Sequence, residues 1–77
     1  MAQFIRLTQI NPIGKVLPMT ISKAQVAFAC PASMEVNGEG FTKKKVHGTK
    51  VVLIYNSYRS DFFVREVYEE VEKMLND

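Results

Sequence analysis

The chain predicts an α+β domain, a small antiparallel sheet of about four to six strands with one C-terminal amphipathic helix packed on it. Three observations point there. Short β-rich runs alternate with turn chemistry through most of the chain, "KVVLIYN" is apolar on both faces, and "REVYEEVEKMLND" carries its apolar residues on one helical stripe. Seventy-seven residues make a single domain, 1–77, with no repeat, low-complexity tract or linker.

"FIRLTQI" (Phe4 to Ile10) is rich in β-formers and reads as the first strand. "NPIG" (Asn11 to Gly14) is turn chemistry, because Pro fixes one dihedral and Gly admits a positive φ. "KVLPMTI" follows as a strand apolar at Leu17, Met19 and Ile21, and Pro18, lacking an N–H, places it at an edge or a bulge. Such an edge is a natural place for another chain to pair, so Pro18 and Met19 are candidate oligomer contacts. "QVAFACP" (Gln25 to Pro31) alternates, with Val26, Phe28 and Cys30 on one side and Gln25, Ala27 and Ala29 on the other. Cys30 then reads as a core thiol acting as a small hydrophobe.

Residues 32–42, "ASMEVNGEGFT", are the least regular stretch: either a hairpin turning at Asn37–Gly38 and flanked by a short strand at Met34 and Val36, or a mobile loop. "KVVLIYN" (Lys50 to Asn56) predicts a central strand. Val51, Leu53 and Tyr55 line one of its faces, Val52 and Ile54 the other. One helix can cover one face, so the second cover is expected from another subunit, with Val52 and Ile54 in the interface. "SYRS" turns into a further strand, "DFFVR", making an antiparallel hairpin. In the last segment Val67, Tyr68, Val71, Met74 and Leu75 form the helical stripe, Glu66, Glu69, Glu70 and Glu72 favour its N-terminal half, and Glu69 and Lys73 are spaced for a weak pair.

Composition narrows the function classes. With 47% hydrophobic and 23% charged residues the chain is of ordinary globular type, and no apolar run approaches the roughly 18 residues that span a bilayer. "MAQFIRLTQI" has no apolar segment of signal-peptide type, and one unpaired Cys suits a reducing compartment, so a cytoplasmic location is expected. One Cys and one His allow neither an internal disulfide nor a tetrahedral zinc site, so no metal and no cofactor are expected. A chain this short has a marginal core, and oligomerisation is the support left open. The net charge of +2 divides into +5 over residues 1–50 and −3 over residues 51–77. Halves of opposite sign can attract within a subunit or between subunits.

The order "FIRLT", a turn, "KVLPMTI", "QVAFACP", "TKVVLIYN", "FFVRE" and a closing "VYEEVEKML" resembles the small FlbD/SwrD-like proteins of flagellar and swarming operons. The similarity covers both ends of the chain but not residues 32–49, and Arg65–Glu66 stands where that family commonly has a helix-capping Glu–Ser pair. It implies a non-enzymatic accessory protein acting through contacts with other proteins, and it brings no functional residues with it.

No catalytic constellation is visible. His47, the only imidazole, reads as a surface turn residue, the carboxylates cluster on the terminal helix, and "NGEG" lacks the Lys–Ser/Thr that follows in a phosphate-cradling loop. An enzyme is not expected. Anion binding is the sharper alternative. Lys43, Lys44, Lys45, His47 and Lys50 crowd "TKKKVHGTK", and the turn "NSYRS" adds Tyr58, Arg59 and Ser60. Together these could hold a nucleotide or a single nucleic-acid strand. The plainer reading of the lysines is a solvated edge that blocks aggregation. Two functions therefore stand: an accessory protein working by homo-oligomerisation and protein contacts, or a small binder of an anionic ligand.

Overall fold

In the computed structural model, residues 3–38, 40 and 42–77 are described; Glu39 and Phe41 of the 32–42 stretch and the first two residues lie outside them. The elements are β1 (Phe4–Ile10), β2 (Val16–Ser22), a single 3-10 turn (Lys23–Gln25), β3 (Val26–Asn37), β4 (Lys43–Tyr55), β5 (Tyr58–Val64) and α1 (Tyr68–Leu75). They form one five-stranded antiparallel sheet of order β2-β1-β5-β4-β3 with a C-terminal helix, an α+β fold.

Connectivity dictates the curvature. β2 and β3 are consecutive in the chain yet occupy opposite edges of the sheet, joined only by Lys23–Gln25. Laid flat, five strands would hold those edges about 19 Å apart, whereas a link of this length in 3-10 form covers about 8 Å. The sheet must curl until its edges approach. Pairing between β1 and β5 is accordingly confined to Gln9 and Val64, so the β1–β2 hairpin folds over the β3–β4–β5 sheet from that corner. Ile5, Leu7 and Ile21 from the hairpin meet Val51, Leu53 and Val64 from the sheet, and Val71 of α1 completes the cluster. Met74 and Leu75 pack against the same core, as the helical stripe predicts. Val67, on that stripe, is instead an exposed N-cap residue without a side-chain cap.

The corner is pinned by polar contacts. After β5 ends, Arg65 N–H donates to Thr8 O at 2.9 Å, and Thr8 N–H donates to Glu66 Oε1 at 2.8 Å. Thr49, the one buried polar residue of the described set, donates its hydroxyl to Glu66 O at 2.7 Å. An unmet hydroxyl there would cost about 1–3 kcal/mol. Beside it, Gly48 has no substitute, since a Cβ would overlap Val64 O and crowd the Phe63 ring.

β4 lies between β5 and β3, as a central strand should. The expectation that a second subunit must cover it is not met for the first three residues of its apolar run: Val51, Val52 and Leu53 are all buried within one chain. Val51 and Leu53 face the core; Val52 is sealed on the other face by its in-plane neighbours, with Phe28 and Asp61 beside it and Lys50 and Ile54 two residues either way.

Two expectations about β3 are corrected. A bulge between Val26 and Phe28 inserts Ala27, so Val26 and Ala29 pack on the core while Phe28 and Cys30 face outward. Cys30 is therefore half-buried on the outer face and lies outside the core cluster. Beyond Pro31 the strand continues to Asn37 and pairs with Lys43–Thr49, so residues 32–37 belong to a long hairpin.

Both sheet edges carry an outward-facing proline. Thr8 turns its N–H and C=O toward Glu66 and Arg65, away from β2, so Pro18 opposite it faces the free edge. Asn37 N–H turns away from β4 to Pro12 O at 2.9 Å, and Pro31 has the same parity on β3. Each edge thus lacks a donor near its middle, which makes edge-to-edge strand addition unfavourable.

Candidate functional site

Two surfaces collect the side chains singled out in the sequence, and both lie on the β3–β4 hairpin. The first is the outer face of β3–β4–β5, turned away from the core. Moving along it, Ile54 stands opposite Arg59, Phe28 and Asp61 flank Val52, and Cys30 and Phe63 flank Lys50. Phe28 and Ile54 are each 49% exposed, and Val52 between them is 0% exposed. A groove of about 390 Å³ continues this face, lined by Ala32, Ser33, Met34, Lys50, Asp61, Phe62 and Phe63. The result is a contiguous apolar surface crossed by one charged row. In that row Asp61 accepts from Arg59 Nε at 3.1 Å and lies 3.5 Å from Lys50 Nζ. The Arg59 hydrogen bond, then the charges of Arg59 and Lys50, hold the Asp61 carboxyl below its usual value despite some opposing desolvation. These groups are well exposed, so the row adds little stability.

The second surface is the distal half of the hairpin, residues 32–37 with 43–48. Here β4 pairs only with β3, because β5 ends at Val64 opposite Thr49. Lys43, Lys45 and His47 share one side with Asn37, Glu35 and Ser33, their respective partners, and all six are exposed. His47 is thus on a strand, not in a turn.

The two groups proposed for a joint anion site do not meet. Tyr58, Arg59 and Ser60 are on β5 next to the Asn56–Ser57 turn, where Asn56 takes the left-handed conformation (φ 55) that such turns use. Tyr58 pairs with Tyr55, their ring centroids 6.2 Å apart, while Lys45 lies ten residues back along β4, about 33 Å away at strand rise. Lys50 alone joins the β5 set, through Asp61. A hairpin brings together residues equidistant from its turn, and Lys43–Lys45 are equidistant with none of them.

The proposed oligomer contacts also separate. Pro18 is exposed on β2, Met19 packs against the core, Val52 is fully buried, and only Ile54 offers a large apolar surface. Phe28 and the Met34–Phe63 groove were missed in the sequence; the signal was the run of apolar residues at alternate positions 28, 30, 32, 34 and 36. On α1, Tyr68 lines a smaller cavity of about 260 Å³ with Ala29, Glu72, Leu75 and Asn76, and its hydrogen bond to Glu72 raises the phenol above its usual value. Among the described residues no cluster of His, Cys, Asp and Glu could hold a metal ion, and no helix is long and apolar enough to cross a membrane. No family model, no curated protein and no solved structure matches the chain.

Proposed function

We propose that the chain is a non-enzymatic accessory protein that acts by association, through the outer face of β3–β4–β5, with a second copy of itself as first partner. One observation carries this reading: Phe28 and Ile54 remain half exposed around a Val52 that is completely covered, on the face of the sheet opposite the core cluster. Half-exposed large apolar groups beside a groove are what a docking partner removes from water, at about 25 cal/mol per Å². A second copy suits the charge pattern. Lys50 and Arg59 flank Asp61, so a twofold-related copy sets its acid against the first copy's bases. Association by faces also agrees with the outward prolines, which disfavour pairing at the edges. The resemblance to FlbD/SwrD-like accessory proteins points the same way.

Sedimentation velocity at micromolar concentration tests it, with wild type beside Phe28→Glu and Ile54→Lys. The reading predicts a wild-type species heavier than a monomer and two variants that are folded and monomeric. A wild type that is monomeric at every concentration, sedimenting like both variants, removes self-association.

A further inference from the structure

The distal half of the β3–β4 ribbon has a function of its own in its chemistry. Three cross-strand pairs, Ser33–His47, Glu35–Lys45 and Asn37–Lys43, make one exposed face entirely polar. Lys44 stands at the same tip on the opposite side, opposite Val36. Among the described residues Lys43, Lys44 and Lys45 make no ion pair; the two present in the set belong to Asp61. Glu35, opposite Lys45, is the one acid among the described residues of the distal ribbon; Glu69, Glu70 and Glu72 are on α1, which packs on β3 and β4 and lies beside Ala29 near the start of β3. The molecule is 43 Å long, close to the length of β4 itself, so positive charge gathers toward one end of the ribbon and the helix acids lie well back along it.

We propose that this ribbon end docks on the phosphate backbone of a nucleic-acid duplex, without reading its sequence. Three features favour that partner. A two-stranded ribbon fits the width of a duplex major groove, about 12 Å. The polar face carries donors in Lys43, Lys45, Asn37, Ser33 and His47, and phosphate contacts need donors and positive charge. Apart from His47, its described residues offer no ring on which an unpaired base could stack, which sets a duplex above a single strand. The charge asymmetry turns the ribbon end toward a polyanion and the helix away from it. Lys43 and Lys45 are separate from the self-association face, because they point to the side opposite Met34 and Val46; Lys44 shares the Met34 side but stands at the tip, ten residues along β4 from Ile54.

Fluorescence anisotropy with a short labelled duplex of arbitrary sequence tests the proposal. Three lysines on phosphates give a log–log salt slope of about −2.7, a weakening of about 40-fold between roughly 50 and 200 mM salt. The triple variant Lys43→Glu/Lys44→Glu/Lys45→Glu keeps a charged, soluble ribbon and loses duplex binding, whereas Lys23→Glu/Lys73→Glu, reversed at the helix end of the molecule, retains it. Circular dichroism confirms that both variants are folded. Absence of binding at low salt overturns the proposal, as does an equal loss in the two variants. Capture by anionic phospholipid vesicles but not by duplex identifies a membrane surface instead and overturns it too. Salt-sensitive self-association abolished by the triple variant, with no duplex bound, assigns the lysines to the acidic helix of another copy and likewise overturns it.

Discussion

The two halves of the β3–β4 hairpin are one continuous ribbon with opposite burial. In the proximal half, Thr49, Val51 and Leu53 point into the core, and the even-numbered face of β4 is the outer one. In the distal half the odd positions, Lys43, Lys45 and His47, are exposed, and the even face is the sheltered one, with Val46 half-buried and Val36 on β3 buried. The exchange falls at Gly48, where β5 stops pairing and the Phe63 ring lies over the missing side chain. A strand's period of two does not say which face is inside. That is decided by what the rest of the chain brings against it: the strands of the β1–β2 hairpin and α1 pack on the proximal half, and the β1–β2 turn meets the distal half at Asn37.

The largest break in this contrast is a truncation on each side of Gly48. Leu53→Ala, in the core half, is expected to lose about 2–5 kcal/mol of unfolding free energy in a urea titration, and Val46→Ala, in the distal half, less than about 1 kcal/mol. Gly48→Ala is next. Its Cβ meets a backbone carbonyl, which cannot rotate away, and a loss of about 2–3 kcal/mol is expected in the same titration. Thr49→Val keeps the shape but leaves Glu66 O without its donor, for about 1–3 kcal/mol by thermal unfolding.

The smallest effect is electrostatic. A carboxyl held below its ordinary value supports the folded state above the unfolded value, 3.8 for Asp61, and loses that support as pH falls through the folded value. Titration followed by NMR is expected to place Asp61 below the usual carboxylate range in wild type, and Arg59→Ala to return it upward. No difference between the two proteins would mean that Arg59 does not set it.

Much of the proximal half was legible in the sequence. "FIRLTQI" matches β1 from Phe4 to Ile10, Pro18 marks an edge strand, and the two-faced apolar run at Val51–Ile54 marks a central one. Local rules sufficed there because each segment carries its own pattern. The rest depended on contacts distant in sequence. The one-residue bulge at Ala27 reverses the sides of Val26 and Phe28, and nothing in "QVAFACP" reports it. Pro31 reads as the end of a strand, yet a proline whose nitrogen faces a free edge costs the ladder nothing. The basic stretch reads only as a solvated edge with His47 in a turn until its partner, Ser33–Asn37, is known to be a strand. For the candidate site, the lysines were found but their companionship with Tyr58–Ser60 was not real, since hairpin pairing sets them at opposite ends of β4. Coverage of Val52 was misjudged because a sheet residue can be sealed by neighbours in its own plane.

The most direct test of the association face is a dilution series of the wild-type protein followed by amide chemical shifts. Concentration-dependent shifts centred on Phe28, Val52, Ile54 and Asp61, with Leu17 and Thr20 on β2 unmoved, are the predicted result. Shifts centred on β2, or none at any concentration, would contradict it.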